Sequence, residues 1–184
     1  MKFRSVTCAL FAVCVAFGSP ALASPISIQY VATDLTDTDP GDDLWQYAYY
    51  VSDFDFQHDD GFSIYFDVAF YQSLQDLPPI PNADWDPLTY QPDAVLPSPG
   101  IYDALALNDH ASLSDPFVIT FVWLGGRGTR PGSQPFDLYT MDPQSGAIAV
   151  FESGQTVEQV PDPPSLLVLM TAAAFVGHLR RRLT

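Results

Sequence analysis

Between residues 26 and 159 apolar side chains recur at every second position, and this period most narrows what the chain can fold into. Ile26, Ile28 and Tyr30 alternate with Ser27 and Gln29. Trp45, Tyr47, Tyr49 and Val51 alternate with Gln46, Ala48, Tyr50 and Ser52, and Phe62, Ile64, Phe66 and Val68 alternate with Ser63, Tyr65 and Asp67. Phe117, Ile119, Phe121 and Trp123 share one face, with Val118, Thr120 and Val122 on the other. A period of two puts successive side chains on opposite faces of a strand, so each segment predicts a strand with one buried face. Ile101–Leu107, Phe136–Tyr139, Ala147–Phe151 and a last segment near Thr156–Gln159 add shorter strands. Turn-forming Asp39-Pro40-Gly41, Asp60-Gly61, Pro99-Gly100, Gly125-Gly126 and Ser145-Gly146 punctuate them. Many short strands without a long helix predict an all-β antiparallel β-sandwich, jelly-roll or immunoglobulin-like. Only Ala69–Leu77 suits a short helix. The proline-rich stretch Pro78–Pro99 reads as a surface excursion pinned by Trp85, Leu88 and Tyr90.

The two ends have a different logic. Lys2 and Arg4 precede an apolar run from Val6 to Phe17, then the helix-breaking Gly18, Ser19 and Pro20, then Ala21-Leu22-Ala23. That run is shorter than the roughly 20 residues a membrane span requires, and it has the three parts of a secretory signal peptide over residues 1–23. Small Ala21 and Ala23 suit a signal peptidase that cuts before Ser24. Both cysteines, Cys8 and Cys14, lie in the segment to be removed, so the mature chain is expected to hold no disulfide and no thiolate. At the other end Val160-Pro161-Asp162-Pro163 leads through Pro164 and Ser165 into the apolar Leu166–Gly177, followed by His178, Leu179 and Arg180-Arg181-Arg182. The prolines keep the segment before the apolar run extended, the run suits a single transmembrane helix, and the arginines hold its far end on the cytoplasmic side.

Residues 161–184, with Val160, resemble the sorting signal of bacterial PEP-CTERM proteins, the presumed substrates of exosortases. The pattern of that family is Val-Pro-Glu-Pro, a membrane stretch and an arginine-rich end; here Asp162 stands in the place of Glu, one methylene shorter. The resemblance implies export, processing near the motif by an exosortase-like enzyme, and surface display or release of a protein associated with exopolysaccharide. It implies nothing about the activity of the remainder.

Residues 24–160 form the expected ectodomain. Five of the seven basic residues lie in the two ends, and Asp162 is the only acid there. The ectodomain therefore has 21 acids against Arg127 and Arg130, a formal charge of −19. Such a surface repels nucleic acid, whose phosphates need Lys and Arg, and attracts divalent cations or basic partners. Asp37, Asp39, Asp42 and Asp43, with Asp34 nearby, cluster around Pro40-Gly41, and hard Ca2+ takes six to eight such oxygens. The spacing is not that of an EF-hand, so a calcium site and a solvated acidic loop with Asx-turns both stand as readings. Asp53, Asp55, Asp59 and Asp60 make a second group, able to share an ion with the first only if both lie at one end of the sandwich.

Three arrangements bear on catalysis or ligand binding. Acid pairs suit glycoside hydrolysis, but 21 acids make pairs inevitable. His58 beside Asp59 and His110 beside Asp109 would suit a base with an orienting carboxylate, yet no nucleophile motif accompanies them. Gly125–Gly132 holds Arg127 and Arg130 in a flexible loop. The leading expectation is a non-enzymatic exported protein of the cell surface or matrix. The alternatives are a calcium-dependent carbohydrate-binding module and a secreted hydrolase.

Overall fold

A computed structural model describes residues 26–126 and 128–159. The expected signal peptide, with Ala21, Ala23 and Ser24, lies outside the described residues. So do Val160, Pro161, Asp162, Pro163, the apolar tail and Arg180–Arg182.

The described residues form ten strands and no helix: β1 Ser27–Asp34, β2 Leu44–Ser52, β3 Asp60–Phe66, β4 Tyr71–Gln72, β5 Trp85–Tyr90, β6 Gly100–Ala106, β7 Phe117–Trp123, β8 Pro135–Met141, β9 Ile148–Gln155 and β10 Val157–Glu158. One five-stranded sheet runs β10-β1-β2-β7-β4 and the other β5-β6-β3-β8-β9. Every pairing is antiparallel except β1 with β10. The fold is therefore all-β and sandwich-like, as the period of two predicts.

The buried faces are the ones the alternation marks. Tyr47 and Tyr49 of β2 and Phe117, Ile119 and Phe121 of β7 face Phe62, Ile64 and Phe66 of β3, Tyr102 of β6 and Leu138 of β8. Phe62 meets Phe117 edge to face at 4.9 Å and 86°. Burying one such side chain contributes roughly 1.5–3 kcal/mol, and with no cysteine in the described residues this packing holds the two layers together.

Two expectations are corrected. Residues 69–77 do not form a helix. Asp67 closes a turn instead, its carboxylate accepting from the Ala69 amide at 2.9 Å and its carbonyl from Phe70 and Tyr71 at 3.0 Å. Ser73 then takes a φ of 52°, outside the helical region, and Gln75 donates to the Thr120 carbonyl. Burial of Tyr71 and Leu74 outweighs local helix propensity here.

The proline-rich stretch is likewise not all excursion. Trp85–Tyr90 pairs with β6 as an edge strand, where a proline, Pro87, is tolerated. Trp85 does pin it, being 1% exposed, whereas Leu88 and Tyr90 are 48% and 57% exposed and do not.

Candidate functional site

Antiparallel pairing of β2 with β1 and β7 sorts the loops between two ends of the sandwich. The β1–β2 loop, with Asp37, Asp39, Asp42 and Asp43, precedes Leu44; the loop with Asp53, Asp55 and Asp59 follows Ser52. The eight steps of β2 between them span about 26 Å at about 3.3 Å per residue, so the two acid groups sit at opposite ends and cannot share an ion.

At the second end side chains stitch the loops together. The Asp84 carboxylate accepts from Asn108 Nδ2 and the Ser112 amide, both at 3.0 Å. Trp85 Nε1 donates to the Ser112 carbonyl at 2.8 Å. His58 Nδ1 meets the Asp59 carboxylate at 2.8 Å, as the sequence suggests. His110 does not pair with its neighbour Asp109. It pairs with Asp55 at 2.9 Å, while Asp109 accepts from the His58 amide at 3.0 Å. Hydrogen bonding to Asp55, then its charge, raises the His110 pKa. Asp59 and His110 both have positive φ, 70° and 57°, which suits closed turns.

The first end is open. Two clefts adjoin there, and Trp123, the last residue of β7, lines both. The first, of about 590 Å3, is walled by Phe70, Tyr71, Pro97, Pro99 and Tyr65, with Gln134 and Asp67 among its polar groups. The second, of about 670 Å3, is lined by Asp34, Asp37, Asp42, Asp43, Trp45 and Arg130. The acidic loop, the last prolines of the Pro-rich stretch and the Gly125–Gly132 loop thus converge on one aromatic residue.

Trp123 is held from three sides. Its ring stacks on Phe70 at 5.7 Å and 23°, and meets Tyr71 at 5.1 Å and 64°. Its Nε1 donates to Thr129 Oγ1 at 2.9 Å, and that hydroxyl donates to the Gly126 carbonyl at 2.8 Å. A Cβ on Gly125 would overlap the indole, so only glycine fits the turn behind it. Phe70 remains 46% exposed while Trp123 is partly buried, so the stacked pair presents part of its aromatic surface to solvent.

Below the platform lies a buried polar hub. Gln134, 1% exposed, directs Nε2 to Tyr47 Oη at 2.6 Å, Tyr71 Oη at 3.1 Å and the Gly132 carbonyl. Its Oε1 accepts from Tyr49 at 3.0 Å and Thr156 at 3.1 Å. Burial pushes the Tyr47, Tyr49 and Tyr71 pKa values up, so these phenols stay neutral donors. The hub is a rigid floor, which binding sites need under a recognition surface.

In the acidic loop Asp37 accepts from the Leu44 amide at 3.0 Å and Asp43 from Trp45 Nε1 at 2.7 Å. Asp39 accepts from Thr38 at 3.4 Å. Among the described residues no three His, Cys, Asp or Glu side chains converge as a metal would require. Arg130 pairs with Glu158 at 2.8 Å; Arg127 lies outside the described residues.

On the outer face of the other sheet, Asp103 and Asp137 flank Ser63 in register. Asp103 accepts from Ser63 at 2.7 Å and Tyr139 at 2.9 Å. Asp137 accepts from Tyr65 at 2.8 Å and Ser153 at 2.5 Å. These bonds tie neighbouring strands, and burial raises the Asp103 pKa.

No family model, curated protein or solved structure matches this chain.

The Phe70–Trp123 platform and Gln134 are absent from the sequence reading. Phe70 fell inside the expected helix and Trp123 on an expected core face. The available signal was Trp123 closing its strand directly before Leu124-Gly125-Gly126, where cover by the second sheet runs out.

Proposed function

We propose that this chain is the precursor of an exported, non-enzymatic β-sandwich protein, jelly-roll or immunoglobulin-like, that acts at the cell surface or in the extracellular matrix by binding polysaccharide. The observation that carries the binding reading is the solvent-facing Phe70–Trp123 platform above the proline and tyrosine cleft. Sugar rings present apolar C–H faces that stack on aromatic faces, while a few polar groups at the rim read their hydroxyls. Asp67 lies at that rim, and Arg130 and the acids of the neighbouring cleft supply further partners.

Export and sorting rest on the sequence of the ends. Signal peptidase would act at Ala21-Leu22-Ala23 before Ser24, and an exosortase-like enzyme in the Val160–Pro163 region. Arg180, Arg181 and Arg182 would hold the tail at the membrane until then. Intact mass of the protein recovered from its host tests this reading. The expected species lacks Arg180–Arg182, and retention of those arginines overturns tail removal.

Glycan-array binding of the exported protein tests the platform. F70A and W123A are each expected to weaken polysaccharide binding tenfold or more, about 1.4 kcal/mol or above. A blank array, or unaltered binding in both variants, overturns it. The calcium-dependent form of the reading rests on Asp34, Asp37, Asp42 and Asp43, which line the cleft beside the platform without converging on one point. Equal melting midpoints in calcium and in chelator overturn that form alone.

A further inference from the structure

We infer that β9 is a self-association edge, and that two copies of the chain join there, antiparallel, into one continuous ten-stranded sheet. The strand ends its sheet: β8 pairs with one side of it, and among the described residues no strand pairs with the other. Edge strands expose a row of unpaired N–H and C=O groups, and natural edges are blunted by proline, lysine, inward charge, bulges or short length. β9 has eight residues, no proline and no lysine; its one irregularity, at Phe151, leaves Ile148–Val150 in regular register, and its side chains are exposed along most of its length. Ile148, Val150 and Phe151 are 62%, 53% and 48% exposed.

The backbone pattern shows which groups are on offer. Asp142 donates to the Ala147 carbonyl at 2.8 Å across the turn into β9. Hydrogen-bonded pairs alternate along an antiparallel ladder, so Thr140 with Ala149 is the next bonded pair. Ile148 and Val150 fall at the positions between, and their N–H and C=O groups point to the open side. Water satisfies such a row in the monomer, and another strand can replace it.

Charge selects a second copy as the occupant. Residues 143–151 contain no charged side chain, in an ectodomain carrying −19, and Asp142 and Glu152 bracket the gap. A two-fold pairing with Ile148 opposite Val150 of the second copy closes four hydrogen bonds and places Ala149 opposite its own counterpart. Glu152 then stands opposite Gly146, not opposite the second Glu152, so the register avoids like charges facing across the ladder. Ile148 and Val150 also line a shallow pocket with Tyr90 and Tyr139 on the outer face of the sheet, and pairing would extend that apolar strip across the two-fold. Repulsion between the acidic bodies elsewhere opposes the contact and is screened by salt.

Sedimentation of the exported protein over a hundredfold concentration range, at low and at high NaCl, reads the association. A monomer–dimer shift that strengthens with salt is the expected result. V150E and I148K, both at exposed positions, should abolish the shift while leaving the melting midpoint within about 2 °C of wild type. Amide exchange should slow at Ile148 and Val150 on raising the concentration, while Ala149, already bonded to β8, stays unaltered. A monomer at every concentration and salt overturns the proposal. So does a dimer that survives V150E and I148K, or one whose Ile148 and Val150 amides gain no protection.

Discussion

The two ends of the sandwich start from the same material and finish differently. Each has a loop dense in aspartates and a tryptophan beside it. At the His110 end the carboxylates are taken up by loop amides and histidines, and Trp85 is sealed beneath them. At the Trp123 end Asp37 and Asp43 also hold their loop, but the aromatic pair above it faces solvent beside two clefts. The lesson is that acid count does not mark a site. Whether the neighbouring aromatic is sealed or partly open separates the two ends.

Removing the central tryptophan of each end gives the sharpest contrast. Trp85 meets Phe56, Phe62 and Phe117 edge to face, at 5.0, 5.9 and 4.9 Å, and its indole N–H is bonded. W85A should cost about 3–5 kcal/mol, since a large cavity opens among rings that cannot collapse into it. W123A should cost about 1–2 kcal/mol, because Trp123 is only partly buried at the margin of the core. Denaturant melts of both variants measure this. Equal losses would mean that the Trp123 end is as closed as the other.

Much of this was legible in the sequence, and the limits have physical causes. Alternation located β1, β2, β3, β6 and β7 because each buries a single face, so burial writes its period directly into residue order. It misjudged β5, where Pro87 looks like a strand breaker until the strand is known to be an edge. It misjudged residues 69–77, where Asp67 starts a turn and long-range burial of Tyr71 decides the path. The pairing of Phe70 with Trp123 joins residues more than fifty positions apart, and no local pattern encodes that contact. Gln134 is a further case: a lone glutamine among prolines becomes a hub only when Tyr47, Tyr49 and Tyr71 arrive around it.

The next contrast is between aspartates. D84A removes an acceptor of two bonds that join the start of β5 to the β6–β7 loop, and should cost about 1–2 kcal/mol. D42N, in the acid-lined cleft, should alter stability by less than about 0.5 kcal/mol. Chemical denaturation of the two variants decides it. A D42N loss as large as that of D84A would give the open loop the same structural duty as the closed one.

The smallest effect is a pH dependence confined to the closed end. The His110 pKa is raised above its ordinary 6.5 by the hydrogen bond and then the charge of Asp55. A folded-state value above the unfolded one means that folding favours the protonated ring. The stabilisation is therefore complete below pH 6.5 and is lost as pH climbs through the raised folded value. Asp103, raised by burial, follows the same rule at lower pH: its share is complete below 3.8 and is lost as pH rises through its folded value. Acidification from pH 8 to pH 6 should accordingly raise the melting midpoint by a small amount that comes from His110. D55N should flatten that rise while leaving the Asp103 region below it intact, and W123A should leave the slope as in wild type. A slope unaltered in D55N would instead assign the effect to relief of general repulsion among the 21 acids of residues 24–160, a property of the whole surface rather than of one end.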